Sequence, residues 1–246
     1  MSRIRQFEEA GLAGMPALRA DHYDGWLLRF GEGYSRRSNS VATLYPSTID
    51  VAEKIRYCES AYAAAGLPCI FKLTDASTPD GLDDVLTARG YSREADTFVR
   101  ARSIDAGLTR PTRVELLDSP GGDWLETRMQ IDDEAAEGED EILGRLLAAT
   151  PTPAVYALIR HGGRGVACAR ATVSGGLVGL YGLQVAPEHR RQGLATDLTQ
   201  ARLWWASTQG AHRAFLQVMA NNPGSQALQE RLGFVEVYRY WYRLQP

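Results

Sequence analysis

A chain of 246 residues with 23% charged and 44% hydrophobic residues has the make-up of an ordinary soluble globular protein, and at about 150 residues per domain it can hold one large domain or two of ordinary size. With 27 basic against 30 acidic residues and a net charge of -3, it has no bulk basic excess for a phosphate backbone, so no nucleic-acid partner is expected. No stretch approaches the ~20 apolar residues that cross a bilayer, and Met1 to Ala10 lacks a signal-peptide apolar core, so no membrane partner and a cytoplasmic location are expected.

From Asp24 the segment D-G-W-L-L-R-F-G-E-G-Y-S-R-R-S-N-S-V reads as a hairpin that carries Trp26, Tyr34, Arg36, Arg37 and Asn39 and turns at Gly31 and Gly33. Leu44-Tyr45-Pro46 ends a strand. Glu53 to Ala65 then reads as helix stopped by Gly66, Cys69 to Leu73 as strand, Gly81 to Ala88 as helix, and Gly90-Tyr91 opens a strand from Glu94 to Arg102. Glycine and proline break the pattern between Ile104 and Pro111, which places a boundary near residue 108 and divides the chain into 1–107 and 108–246. Cys58, Cys69 and Cys168 are odd in number and set among apolar neighbours, so they read as small core residues. His22, His161, His189 and His212 show no metal-ligand spacing, and no metal is expected.

In the second half, Leu177 to Val185 is a strand in which Gly179 and Gly182 interrupt an apolar run, as glycine does at a bulge or a close backbone approach. A-P-E-H-R-R-Q-G-L-A-T follows and turns into a helix whose apolar positions Leu194, Leu198, Ala201 and Trp205 recur at helical spacing. Such a turn aims several unpaired N–H groups at one point, and the helix N-terminus adds roughly half a positive charge, so a pyrophosphate can sit there. Gly193 lets the backbone come close and Ala195 is small for the same reason. Thr196 can add a hydroxyl donor, and Arg190 or Arg191 a countercharge. Neither G-x-x-x-x-G-K-[ST] nor G-x-G-x-x-G is present, which argues against nucleoside triphosphates and dinucleotides. Gln200 to Trp205 continues the helix, Gly210 stops it, Ala214 to Met219 reads as strand, Ser225 to Leu232 as helix, and Gly233-Phe234 opens two closing strands. Asn222 before Pro223 has the look of a helix N-cap.

The halves repeat one another. Gly66 and Gly210 are 144 residues apart, and Gly90 and Gly233 are 143 apart, so the offset is nearly constant. Pro46 lies 20 residues before Gly66, whereas Pro187 lies 23 before Gly210. The first copy is shorter where the second holds its glycine-containing loop, which implies a single working cofactor site.

R-R-Q-G-L-A from Arg190 to Ala195 matches [QR]-x-x-G-x-[GA], the signature of the GNAT superfamily of N-acyltransferases, which the chain resembles. N-N-P-G-S-Q-A-L-Q-E-R-L-G-F fits that family's second pattern, with Ser225, Leu228, Gly233 and Phe234 in place. The two motifs cover about the last 70 residues. The resemblance implies an α/β fold of the α+β type, with two GNAT-like domains, each a mixed, mostly antiparallel sheet flanked by helices, the first a degenerate copy. It implies acetyl-CoA as co-substrate, lined by the backbone of Leu183 and Val185, with Arg190, Arg191, Gln192, Gly193, Leu194, Ala195 and Thr196 at its pyrophosphate and Asn222 and Ser225 nearby. The reaction implied is acetyl transfer to the primary amine of a small-molecule or peptide acceptor, by direct attack in a ternary complex. A non-catalytic module that senses acyl-CoA is the competing reading, and monomer and homodimer both stay open.

An alkylamine of pKa near 10.4 is about three units from neutrality at pH 7, a cost of roughly 4 kcal/mol, so a base, usually acting through water, should help. The resemblance nominates the Val185 N–H as oxyanion donor. The tyrosine that commonly donates a proton to the thiolate in the family is replaced by Gln229, a neutral amide. Tyr238, Tyr240 and Tyr242, on one face of a strand, and Tyr181, beside Gly182, are the substitutes the sequence offers. Glu188, after a proline, reads as solvated. Asp132, Asp133, Glu134, Glu137, Glu139, Asp140 and Glu141 form an acidic run that suits either a solvated face or attraction of a cationic amine. Arg36, Arg37 and Asn39 have no evident structural task, and could reach an acceptor carboxylate across the domain interface.

Overall fold

The computed structural model describes residues 3–131 and 138–246. The first half runs α1 (Arg3–Gly14), β1 (Arg19–Tyr23), β2 (Trp26–Phe30), β3 (Val41–Ala42), α2 (Val51–Ala64), β4 (Ile70–Thr74), α3 (Leu82–Ala88) and β5 (Ser92–Ser103). The second runs β6 (Glu115–Leu117), α4 (Gly122–Ile131), α5 (Glu139–Ala148), β7 (Ala154–His161), β8 (Arg164–Ser174) and β9 (Leu177–Val185), then a 3₁₀ turn at Pro187–His189, α6 (Leu194–Thr208), β10 (Arg213–Met219), α7 (Pro223–Arg231) and β11 (Val235–Leu244). The strand-helix-strand-helix-strand order from β3 to β5 recurs from β9 to β11. The fold is the expected one, a mixed α/β structure with a mostly antiparallel sheet flanked by helices.

The early hairpin sits one turn before its expected place. β1 and β2 pair with Tyr23 opposite Trp26, and the turn is Asp24-Gly25, both at positive φ (43° and 81°) as a two-residue hairpin turn demands. β2 pairs antiparallel with β3, but residues 31–40 between them form a long loop, and Arg36, Arg37 and Asn39 lie on that loop rather than on a strand.

All the described strands belong to one sheet, in the order β1-β2-β3-β4-β11-β5-β10-β9-β8-β7-β6. Each half thus sends its last strand into the other: β11 lies between β4 and β5, and β5 lies between β11 and β10. Among the described strands only β3–β4 and β9–β10 pair in parallel.

Helices cover both halves. Apolar faces of α2 and α3 close a core around Trp26, Phe71 and Tyr62, while α6 closes a second around Leu198, Ala201 and Leu203. α1, from the first half, packs on β8 and β9 of the second. Phe7 in α1 meets Phe215 edge-on at 5.5 Å, and Glu8 is almost fully buried beneath it. Lys72 Nζ in β4 and the Tyr238 hydroxyl in β11 both donate to the Glu8 carboxylate at 2.6 Å. The three cysteines are buried and unpaired, and burial pushes the Cys58 and Cys168 thiols up to about 12, which fits their reading as inert packing residues. No helix among the described residues is long and apolar enough to cross a membrane, and none of their His, Cys, Asp or Glu side chains group as a metal site.

Removing one partner of a buried ion pair leaves the other charge uncompensated. Glu8→Ala, which strands Lys72 and Tyr238 in the core, is therefore expected to lower stability by about 3–5 kcal/mol in urea unfolding. A loss below 1 kcal/mol would mean that Lys72 reaches water in the native state.

Candidate active site

β9 and β10 pair from Leu177↔Arg213 to Leu180↔Leu216 and then separate. The cause lies on the other edge of β9, where the register with β8 passes from Arg170↔Tyr181 to Cys168↔Gln184, so that one extra residue is accommodated on β9. The bulge centres on Gly182, whose φ of 58° is open to glycine at little cost. Gly179 answers a different need: the Tyr181 ring folds back over it so closely that a Cβ there would come within 2.0 Å of the hydroxyl. Arg202 of α6 is fully buried under the bulge and donates to the carbonyls of Leu198 at 3.0 Å, Arg170 at 3.1 Å and Tyr181 at 3.4 Å. Burial without a counter-charge lowers its pKa to about 9.

The gap is a cleft of about 310 Å³. Leu180 to Gln184 form one wall, Leu216 to Met219 the other, and Asn222, Ser225 and Gln229 of α7 close the end. Leu183, Asn222 and Ser225, all expected at a cofactor, are thus brought together. Asn222 Oδ1 caps α7 by accepting from the Ser225 N–H at 3.0 Å, and Gln229 Nε2 donates to Ser225 Oγ at 3.0 Å. Gln229 Oε1 is buried without a partner. Val185 is not part of the lining. The Ala186 N–H donates to Val166 at 2.9 Å, and alternate residues of an antiparallel strand point to opposite sides, so Val185 directs its own backbone groups toward the gap. Its carbonyl accepts from Arg190 Nε at 3.2 Å.

Arg190 to Thr196 continue from that wall, outside the cleft lining itself. Arg190, Arg191, Gln192 and Gly193 are exposed, Leu194 is buried as the anchor of α6, and Ala195 and Thr196 are half-buried. Arg191 and Gly193 both have positive φ, 63° and 80°. Gly193 is the N-cap of α6 and offers no side-chain acceptor, so the first N–H groups of the helix stay open to a ligand. Arg113 braces the loop by donating to the Gln192 carbonyl at 3.2 Å and to Asp197.

The first half treats the same position in the opposite way. Asp50, 143 residues before Gly193, caps α2 with its carboxylate by accepting from the Ala52 and Glu53 N–H groups at 2.9 and 3.2 Å. The Asp24 carboxylate accepts from the Thr48 and Ile49 N–H groups at 2.8 and 2.9 Å. Two carboxylates of the chain thus hold these loop and helix N–H groups.

A second chamber, of about 260 Å³, shares Arg37, Arg128, Tyr181 and Gly182 with the cleft and extends under α4 and α5 to Tyr34, Arg170 and Glu139. Of the tyrosines the sequence offered as acids, only Tyr181 lines either space, and its hydroxyl is buried beside Gly14 and Thr172, with burial raising its pKa. Tyr238 is committed to Glu8, and Tyr240 donates to Gln217 Oε1 at 3.2 Å behind the cleft wall. Tyr242 is buried in the central core. Tyr34 lines the chamber, and its hydroxyl makes no hydrogen bond among the described residues. Asp132, Asp133, Glu134 and Glu137 of the acidic run lie outside the described residues, while Glu139 opens α5 and is the one carboxylate among the described residues lining cleft or chamber. The sequence names Tyr34 only as part of the early hairpin and Glu139 only as one of seven carboxylates in the acidic run, and it is the fold that singles each out.

A family model described as probable histone acetyltransferase Rv0428c C-terminal matches residues 1–243. The uncharacterized N-acetyltransferase YobR of Bacillus subtilis is 30% identical over 256 residues, covering 99% of both chains. The probable histone acetyltransferase Rv0428c of Mycobacterium tuberculosis is 30% identical over 239 residues, 94% of this chain and 70% of its own. Among solved structures, a GCN5-related N-acetyltransferase from Kribbella flavida superposes with a TM-score of 0.71 at 21% identity, covering 100% of this chain and 96% of its own. A tandem GNAT protein from the clavulanic acid biosynthesis pathway superposes at 0.62 with 12% identity, over 84% and 75% of the two chains.

The Asp24 cap is testable by pH. The Ile49 N–H, helped by Thr48 and Lys54, holds the carboxyl at about 2, below its ordinary 3.8. A folded pKa below the unfolded one means a contribution present above about pH 4 and lost as the pH falls toward 2. Asp24→Asn should melt below the wild type at pH 7, and the difference should shrink by pH 2.5. A constant difference across that range would show that the charge is not what holds the loop.

Proposed function

The chain belongs to the GNAT family of acetyl-CoA-dependent N-acetyltransferases, and on that premise we propose that it transfers acetyl to the primary amine of a small acceptor by direct attack in a ternary complex. The observation that carries the reading is the splayed gap between β9 and β10, which leads to an uncapped helix N-terminus at Gly193. Acetyl-CoA supplies the thioester. The donor set fits it: open N–H groups from Gly193 onward for the pyrophosphate, Arg190 and Arg191 as exposed counter-charges, the edge of β9 at Leu183 to Val185 for an extended arm, and the amide of Asn222 at the cleft end. The division at residue 108, with one working site in the second half, belongs to the same proposal. It is supported by Asp50 standing where the second half has Gly193, since a fixed carboxylate repels a phosphate at the donors it already holds.

The acceptor enters through the chamber. Glu139 receives the first ammonium proton, directly or through water, and the neutral nitrogen attacks as the N–C bond forms and the C–S bond breaks. The Val185 N–H faces the oxyanion. Tyr34, in place of Tyr181, Tyr238 and Tyr240, would give its proton to the leaving thiolate and regain one from the second amine proton, while the proton on Glu139 passes to solvent.

Gly193→Glu should weaken acetyl-CoA binding at least a hundredfold in calorimetry, because the side chain adds a carboxylate and strains a φ of 80°. Unchanged affinity would place the cofactor elsewhere. Tyr34→Phe and Glu139→Gln should each cut kcat tenfold or more while leaving acetyl-CoA affinity within twofold. A full-rate variant would remove that residue's role.

A further inference from the structure

Among the described residues, the wall of the acceptor chamber carries Arg37 and Arg170, and Glu139 is the one carboxylate lining it. Arg170 is only 3% exposed. Its Nη2 donates to the Gly14 carbonyl and reaches the Met15 sulfur at 3.2 Å, whereas Nη1 is buried without a hydrogen-bond partner among the described residues. Arg37 reaches no further than Gln217 Oε1, at 3.4 Å. Neither Arg37 nor Arg170 meets a carboxylate among the described residues. Burial lowers the pKa of Arg170, and the neighbouring Arg37 cation pushes the same way. A desolvated guanidinium with an open donor and a like charge beside it is an expensive arrangement unless an anion completes it.

The other polar residues of the same loop already have structural partners. Arg36 pairs with Glu94 at 2.6 Å on the surface. Asn39 is buried and ties the loop together, accepting from the Gly31 and Gly33 N–H groups at 2.7 and 3.1 Å and donating to Ser35 at 2.8 Å. Of the three residues that the sequence left without a task, Arg37 alone faces the chamber.

We propose that the acceptor is a small amine that also bears an anionic group, carboxylate or phosphate, which Arg37 and Arg170 hold while its ammonium end faces Glu139. This rests on the acetyltransferase reading. A chamber of about 260 Å³ accommodates an acceptor of amino-acid or aminoalkyl-phosphate size. A lysine-rich tail is disfavoured, because its second and third cations would meet the same arginines.

The test uses the full chain saturated with CoA for binding and with acetyl-CoA for turnover. The panel comprises α- and ω-amino acids, their carboxamides, the corresponding simple amines, phosphoethanolamine and a lysine-rich peptide. At least one carboxylate or phosphate amine should bind, and be acetylated, at least about tenfold better than its neutral counterpart, the change that one charge-assisted hydrogen bond implies. The better of the two anions identifies the source. Arg37→Gln should bring that ratio below threefold, and Arg170→Gln should do the same if the variant still melts cooperatively. Equal binding of charged and neutral amines, preference for the lysine-rich peptide, or no binding by any anionic amine overturns the inference. Failure of acetyl-CoA itself to bind would instead overturn the acetyltransferase reading.

Discussion

Arg202 is the pin on which the site hangs. A fully buried guanidinium with no carboxylate beside it is tolerable only because four acceptors surround it: the carbonyls of Leu198, Arg170 and Tyr181 and the Thr199 hydroxyl. Two of those carbonyls belong to the strands on either side of the Gly182 bulge. The cation therefore fixes α6 to the sheet at the point where β9 turns away from β10. The cleft and the direction in which α6 aims its N-terminus both follow from this clamp.

The chamber beside the cleft is a product of both halves of the chain. α1 comes from the first half yet lies on β8 and β9, and its last residue, Gly14, fits over the Tyr181 hydroxyl with no room for a side chain. Arg37 and Tyr34 arrive on the first half's long loop. A half that keeps Asp24 and Asp50 on its own loop and helix N–H groups still contributes walls and charges to its neighbour's site.

Much of the local geometry around the cleft is legible in the sequence because it is set by single residues and consecutive positions. Glycines at 182 and 193 answer φ requirements of single residues, and the R-R-Q-G-L-A turn carries its geometry in consecutive positions. Helix and strand limits were read within two residues for α2, β4, α3 and β5. The Asp24-Gly25 turn was available too, but two further glycines downstream drew the hairpin away from it. What could not be read is non-local. Alternation along β11 groups Tyr238, Tyr240 and Tyr242 on one face, yet says nothing of the buried Glu8 and the half-buried Gln217 that take two of their hydroxyls. A helical arginine such as Arg202 reads as surface until the sheet above it is known.

The exchange of final strands also governs how the chain can be made. Once the first half has left the ribosome, β4 and β5 either stay apart, with their edges open across the width of a missing strand, or pair with each other in an arrangement that must later be broken. Residues 235–244, made after both β4 and β5, are the ones that fill the opening. Neither half can reach its final sheet before β11 has been made, so folding is held to a long-range step. A chaperone that shields strand edges would act most usefully in that interval.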